Sequence, residues 1–68
     1  MMTINPGTRV RLRRDAKDEF TGRLRRWASE ARHGTVKADM GAYLLIQFDV
    51  RHAVGLHEIP PATIEVLA

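Results

Sequence analysis

Arginine is the residue type here best equipped to do chemistry, and its placement is uneven. Nine of the eleven basic residues fall between Arg9 and Arg32. Up to His33 there are nine basic residues against four acidic ones, a surplus of five, and from Gly34 onward two against four, a deficit of two. Guanidinium groups pair bidentately with carboxylates and phosphates, so a polarised first half points to an anionic partner. The pattern predicts a partner-binding face made of Arg9, Arg11, Arg13, Arg23, Arg25, Arg26 and Arg32. Trp27 or Tyr43 would supply a desolvated anchor wherever the core does not consume it.

Other chemistries find little footing. The chain has no cysteine, which excludes disulfides and thiolate metal sites. Its histidines are His33, His52 and His57. His52 and His57 lie near Asp49 and Glu58, but strand alternation sends His57 and Glu58 to opposite faces, and no spacing forces three or four ligands together. Ser29 is the lone serine, on a helix-like stretch between Ala28 and Glu30, and is not set up as a nucleophile. Gly34 and Gly41 are isolated, without the Gly-Lys-Ser/Thr of a phosphate loop. The sequence therefore predicts no catalytic residue, no metal site and no cofactor.

These side chains need a scaffold, and hydrophobic periodicity describes it. Val10 and Leu12 alternate with arginines after the Pro6-Gly7 turn, a strand with one face in the core. Phe20, Leu24, Trp27, Ala28 and Ala31 then fall on one stripe of a helix within about residues 18–33. Asp15 or Asp18 would cap it, Gly34 would stop it, and Glu19–Arg23 and Arg26–Glu30 would pair along it. Gly22 argues for a helix starting only after it, or for a short strand there. Thr35–Ala38 reads as a second strand. Tyr43–Asp49 is the strongest, with Leu44, Ile46 and Phe48 on one face and Leu45 on a second face that calls for cover by the arginine-rich helix or by a partner. Val54–His57 and Ile64–Leu67 complete the set, the last burying Ile64 and Val66, after a turn at Ile59–Ala62 whose prolines cannot donate to a ladder. The sum is one mainly β domain over residues 1–68, four or five short antiparallel strands curled toward closure.

Four stretches carry a resemblance: Pro6-Gly7-Thr8-Arg9-Val10-Arg11-Leu12, His33-Gly34-Thr35-Val36, Tyr43-Leu44-Leu45-Ile46-Gln47-Phe48-Asp49, and Ile59-Pro60-Pro61-Ala62-Thr63-Ile64-Glu65-Val66-Leu67. Together they resemble the SH3-like small barrels, here with a helical excursion between strands 1 and 2. By layout the chain is similar to the variable chain of ferredoxin–thioredoxin reductase and the peripheral barrel subunit of photosystem I, which dock on larger electron-transfer proteins. KOW-type nucleic-acid barrels are a more distant likeness. The plasmid-borne tetrameric dihydrofolate reductases share the Arg-Val-Arg of strand 1. Their pore strand reads Val-Gln-Ile-Tyr, however, where this chain has Gly55-Leu56-His57-Glu58-Ile59, so an oligomeric reductase is a minor alternative.

The resemblance and the charge together imply an accessory module that docks an acidic protein surface. The leading alternative is a module contacting the nucleic-acid phosphate backbone, for which binding would weaken steeply with salt. One Trp, one Tyr and two Phe are few stacking platforms for single-stranded bases. No apolar run approaches the ~20 residues of a membrane span, so a cytoplasmic protein with no membrane partner is expected. At 68 residues the core is near the lower size limit, and self-association into a homo-oligomer is one route to stability.

Overall fold

The structure is a computed structural model that describes residues 4–51 and 55–67. Five strands form one antiparallel sheet: β1 (Arg9–Leu12), β2 (His33–Asp39), β3 (Leu44–Phe48), β4 (His57–Ile59) and β5 (Ile64–Val66). Their spatial order is β4-β3-β2-β1-β5, so β1 to β4 form a meander and the last strand returns beside the first. Between β1 and β2 run a 3-10 helix, Arg14–Glu19, and α1, Gly22–Ser29. The protein is thus mainly β with a helical excursion after its first strand. Among the described residues β4 and β5 do not pair with each other, so the expected closure into a hydrogen-bonded barrel is incomplete.

Alternation sets which side chains enter the core. Val10 and Leu12 from β1, Val36 from β2, and Leu44, Ile46 and Phe48 from β3 are buried on one face. Gly34 sits among them because β3 passes too close for a side chain. A Cβ there would lie 2.8 Å from the Ile46 side chain and 2.9 Å from the Gln47 carbonyl oxygen. Gly34 is therefore a packing residue inside β2, and it does not end the helix as its sequence position suggests.

The sheet is lidded by α1. Trp27 and Ala28 are buried, and the Trp27 ring lies 5.2 Å from Phe48 and, edge-on, 5.3 Å from His57, measured between centroids. The helix is shorter than its apolar stripe implies. Gly22 opens it with φ +58, a conformation other residues rarely adopt, so the chain turns there rather than continuing from the preceding segment. Phe20 precedes this turn and is buried from outside the helix. The residue capping α1 is Thr21, with no side-chain cap bond, rather than Asp15 or Asp18.

The helix ends on a Schellman motif. The Arg32 N–H donates to the Trp27 carbonyl at 3.0 Å and the Ala31 N–H to the Ala28 carbonyl at 2.9 Å. Ala31, at φ 51, occupies the left-handed position that usually falls to glycine. It therefore leaves the helical stripe to which its spacing assigns it.

Four further expectations change. The register between β2 and β3 shifts between Val36 and Ala38, so Lys37 is the extra residue of a bulge. The shift extends β2 to Asp39 and turns Asp39 toward the core side, opposite Leu44. Val66 pairs with Val10 but is 57% exposed, because the end of edge strand β5 is left uncovered. The strand expected at Val54–His57 begins only at His57, Leu56 before it is exposed, and Val54 lies outside the described residues. Leu45, half-buried, faces away from α1, so the helix is not its cover.

Candidate functional site

The arginines do not form one face. Arg9 and Arg11 alternate with the buried Val10 and Leu12, which places them on the sheet side away from the core. Arg23, Arg25 and Arg26 ride on α1, which packs on the core side through Trp27 and Ala28. The single polarised surface implied by the charge run is thus divided between two sides of the fold.

Most of these arginines also have a carboxylate of their own. Arg9 grips Asp49 with both terminal nitrogens, one contact at 3.0 Å, and donates to the Thr35 hydroxyl at 2.8 Å. Hydrogen bonding to Arg9 holds the Asp49 carboxyl below the usual carboxylate range, against a smaller desolvation effect, and His33 adds a weaker pull in the same direction. Arg11 binds Glu65 through Nε at 3.1 Å and Nη2 at 2.8 Å, across the β1–β5 pair that sets the two residues opposite each other. Arg13 holds Asp15 at 3.0 and 2.8 Å, which lowers the Asp15 pKa chiefly through those hydrogen bonds. Arg25 bridges Asp18 at 3.1 Å and Arg32 bridges Glu30 at 3.2 Å. The expected Glu19–Arg23 and Arg26–Glu30 pairs do not form, because the helix starts after Glu19 and Arg32 takes Glu30.

The formal charge is unevenly divided between the excursion and the rest of the chain. Residues 13–32, the excursion, hold seven basic and four acidic residues, while the rest of the chain is balanced at four and four. The whole surplus of three belongs to the excursion. Within it, Arg14, Lys17, Arg23 and Arg26 have no carboxylate partner among the described residues, and Glu19 has no basic one. Arg14 and Lys17 are three apart on the 3-10 helix, where that spacing stacks side chains on one edge. The Arg23 guanidinium lies 5.9 Å from the Trp27 ring centroid, a cation–π distance. Sequence reading leaves Arg14 and Lys17 out of the binding set, and the uneven pairing of their neighbours is visible only in three dimensions.

The aromatic anchors fare differently. Trp27 is 2% exposed and is a core residue, since α1 turns its stripe onto Phe48 and His57. It is therefore not available as an interface anchor. Tyr43 is half-buried just before β3. Phe20 and Phe48 are buried, so no Trp or Phe offers a free ring face for a base.

Among the described residues no three His, Cys, Asp or Glu side chains converge as metal ligands, and His52 lies outside them. Nor is any helix there long and apolar enough to cross a membrane. Two open clefts flank the Arg13–Asp15 pair. One, of about 370 Å³, is lined by Arg11, Leu12, Arg14, Asp15, Ala31 and Glu65. The other, of about 350 Å³, is lined by Arg13, Asp15, Ala16, Glu19, Pro60, Ala62 and Thr63. No protein-family model, curated protein or solved structure matches the chain.

Proposed function

We propose that this chain is a non-catalytic accessory module of the SH3-like barrel kind that docks an acidic protein surface through its helical excursion. The observation that carries the reading is the charge partition: a neutral sheet bears an excursion holding the entire surplus, with Arg14, Lys17, Arg23 and Arg26 uncommitted among the described residues. Such groups steer an oppositely charged partner without first breaking an internal pair. The strand order, with β5 returning to β1 after a four-strand meander, supports the barrel part of the proposal. Burial of Trp27, Phe20 and Phe48 favours a protein partner over single-stranded nucleic acid, which is usually held on exposed aromatic rings.

The test uses two defined polyanions, a polyglutamate peptide and a duplex oligonucleotide, titrated at low and physiological salt. Polyglutamate binds the native chain and is lost in Arg23→Glu/Arg26→Glu, while Arg9→Gln, on the sheet side away from the core, retains most of the binding. Duplex binding tighter than polyglutamate binding at physiological salt, with a steep salt slope, would transfer the function to nucleic acid. Unchanged polyglutamate binding in the double reversal would remove α1 from the interface.

A further inference from the structure

The cleft between the end of β1, the 3-10 helix and the turn after α1 is concave, and its charges are unequal in standing. Asp15 is held by Arg13 and Glu65 by Arg11, so both carboxylates in its wall are already engaged. Arg14 is the one charged group of the lining without an opposite partner among the described residues. The wall at Ala31 presents a methyl group on the left-handed turn, where the helix-terminal carbonyls of Trp27 and Ala28 are already bonded to N–H groups. The neighbouring cleft, across the Arg13–Asp15 pair, has the opposite balance, since its uncommitted group is Glu19.

We infer that the first cleft is the seat for a carboxylate side chain of the acidic partner, received by Arg14, with Arg11 released from Glu65 to complete a two-arginine clamp. The inference rests on the docking function proposed above and adds to it a defined socket. Glu65 acts in the free protein as a built-in competitor: it occupies the Arg11 fork until a partner carboxylate displaces it. Arg11 and Glu65 are both about half exposed, at 43% and 47% of their side chains, so the exchange involves no opening of the core. Exposed ion pairs of this kind contribute little stability, so exchanging one for an intermolecular pair costs little.

The experiment follows amide NMR cross-peaks of the full chain during titration with the polyglutamate peptide. Saturable shifts are expected at Arg11, Arg14, Asp15, Ala31 and Glu65. Arg14→Ala weakens binding about tenfold, the loss of a charge-assisted contact worth roughly 1.4 kcal/mol. Two variants of equal charge change then separate a socket from general attraction. Glu65→Gln frees Arg11 and tightens binding several-fold, whereas Glu19→Gln, which adds the same unit of charge beside the other cleft, changes it by less than twofold. Equal gains in the two variants would overturn the socket. Binding that shifts only α1 resonances and tolerates Arg14→Ala would overturn it too, while leaving excursion docking in place. Absence of any polyglutamate binding would remove both.

Discussion

Ala31 holds a backbone conformation that a Cβ resists. Its φ of 51 is set by the Schellman bonds that end α1 and aim the chain into β2, where the Leu12 N–H donates to the Arg32 carbonyl at 2.9 Å. For an L-residue other than glycine this region costs roughly 1–2 kcal/mol, and glycine adopts it without that penalty. Ala31→Gly is therefore expected to raise stability by about 1 kcal/mol or less, once the extra entropy of an unfolded glycine is subtracted. The urea midpoint at unchanged m-value reads this directly, and a lowered midpoint would mean that the Ala31 methyl packs well enough to outweigh the strain. Because Ala31 also lines the Arg14 cleft, the same variant tests whether its methyl matters for the carboxylate seat. The sequence conceals this residue, since its spacing fits the apolar stripe and glycine, the usual marker of a helix stop, stands three positions later at Gly34.

At the scale of elements, two carboxylates tie segments that are far apart in sequence. The Asp39 side chain accepts the Ile4 N–H and the Gly41 N–H, each at 2.8 Å, joining the leading segment to the β2–β3 turn. Asp49, just past β3, holds Arg9 of β1 across β2. Both groups are lowered from the usual carboxylate range, Asp39 by its backbone donors and Asp49 by Arg9. A lowered folded-state pKa means stability that is in full force above the unfolded value near 4 and is lost as pH falls through the folded value. Stability is thus expected to decline on acidification below about pH 4, and Asp39→Asn should flatten that decline while lowering stability at neutral pH. Denaturant midpoints across about pH 2–7 check it, and an acid limb identical in the two proteins would show that Asp39 contributes nothing to the linkage. Strands β1 and β3 were legible in the sequence because Val10/Leu12 and Leu44/Ile46/Phe48 keep strict alternation against one core. The extent of β2 was not, because the bulge at Lys37 changes phase mid-strand and makes Asp39 a strand residue where it reads as a turn. The helix was legible as an apolar stripe but not in its limits, which Gly22 and Ala31 set through positive φ rather than through hydrophobicity.

For the molecule as a whole, one aromatic side chain joins the charged excursion to the neutral sheet. Trp27 is the sole tryptophan, and it packs the helix that carries Arg23 and Arg26 onto Phe48 and His57. A domain of 68 residues has roughly 3–10 kcal/mol of stability in total, and truncating a buried tryptophan to alanine costs about 3–5 kcal/mol, so Trp27→Ala is expected to leave the fold marginal or lost. Trp27→Phe keeps an aromatic body in the site and should lower stability by about 1–3 kcal/mol while the chain stays folded. That variant separates two roles that sequence alone leaves open for this residue. A ring whose work is inside the core can be trimmed with a loss of stability and no loss of affinity, because the cations it positions are still presented on the same helix. Polyglutamate affinity of Trp27→Phe, measured well below its own melting temperature, should therefore equal that of the native chain. Reduced affinity in a folded Trp27→Phe, confirmed by native-like amide dispersion, would mean that the indole itself reaches the partner and that the helix opens on binding.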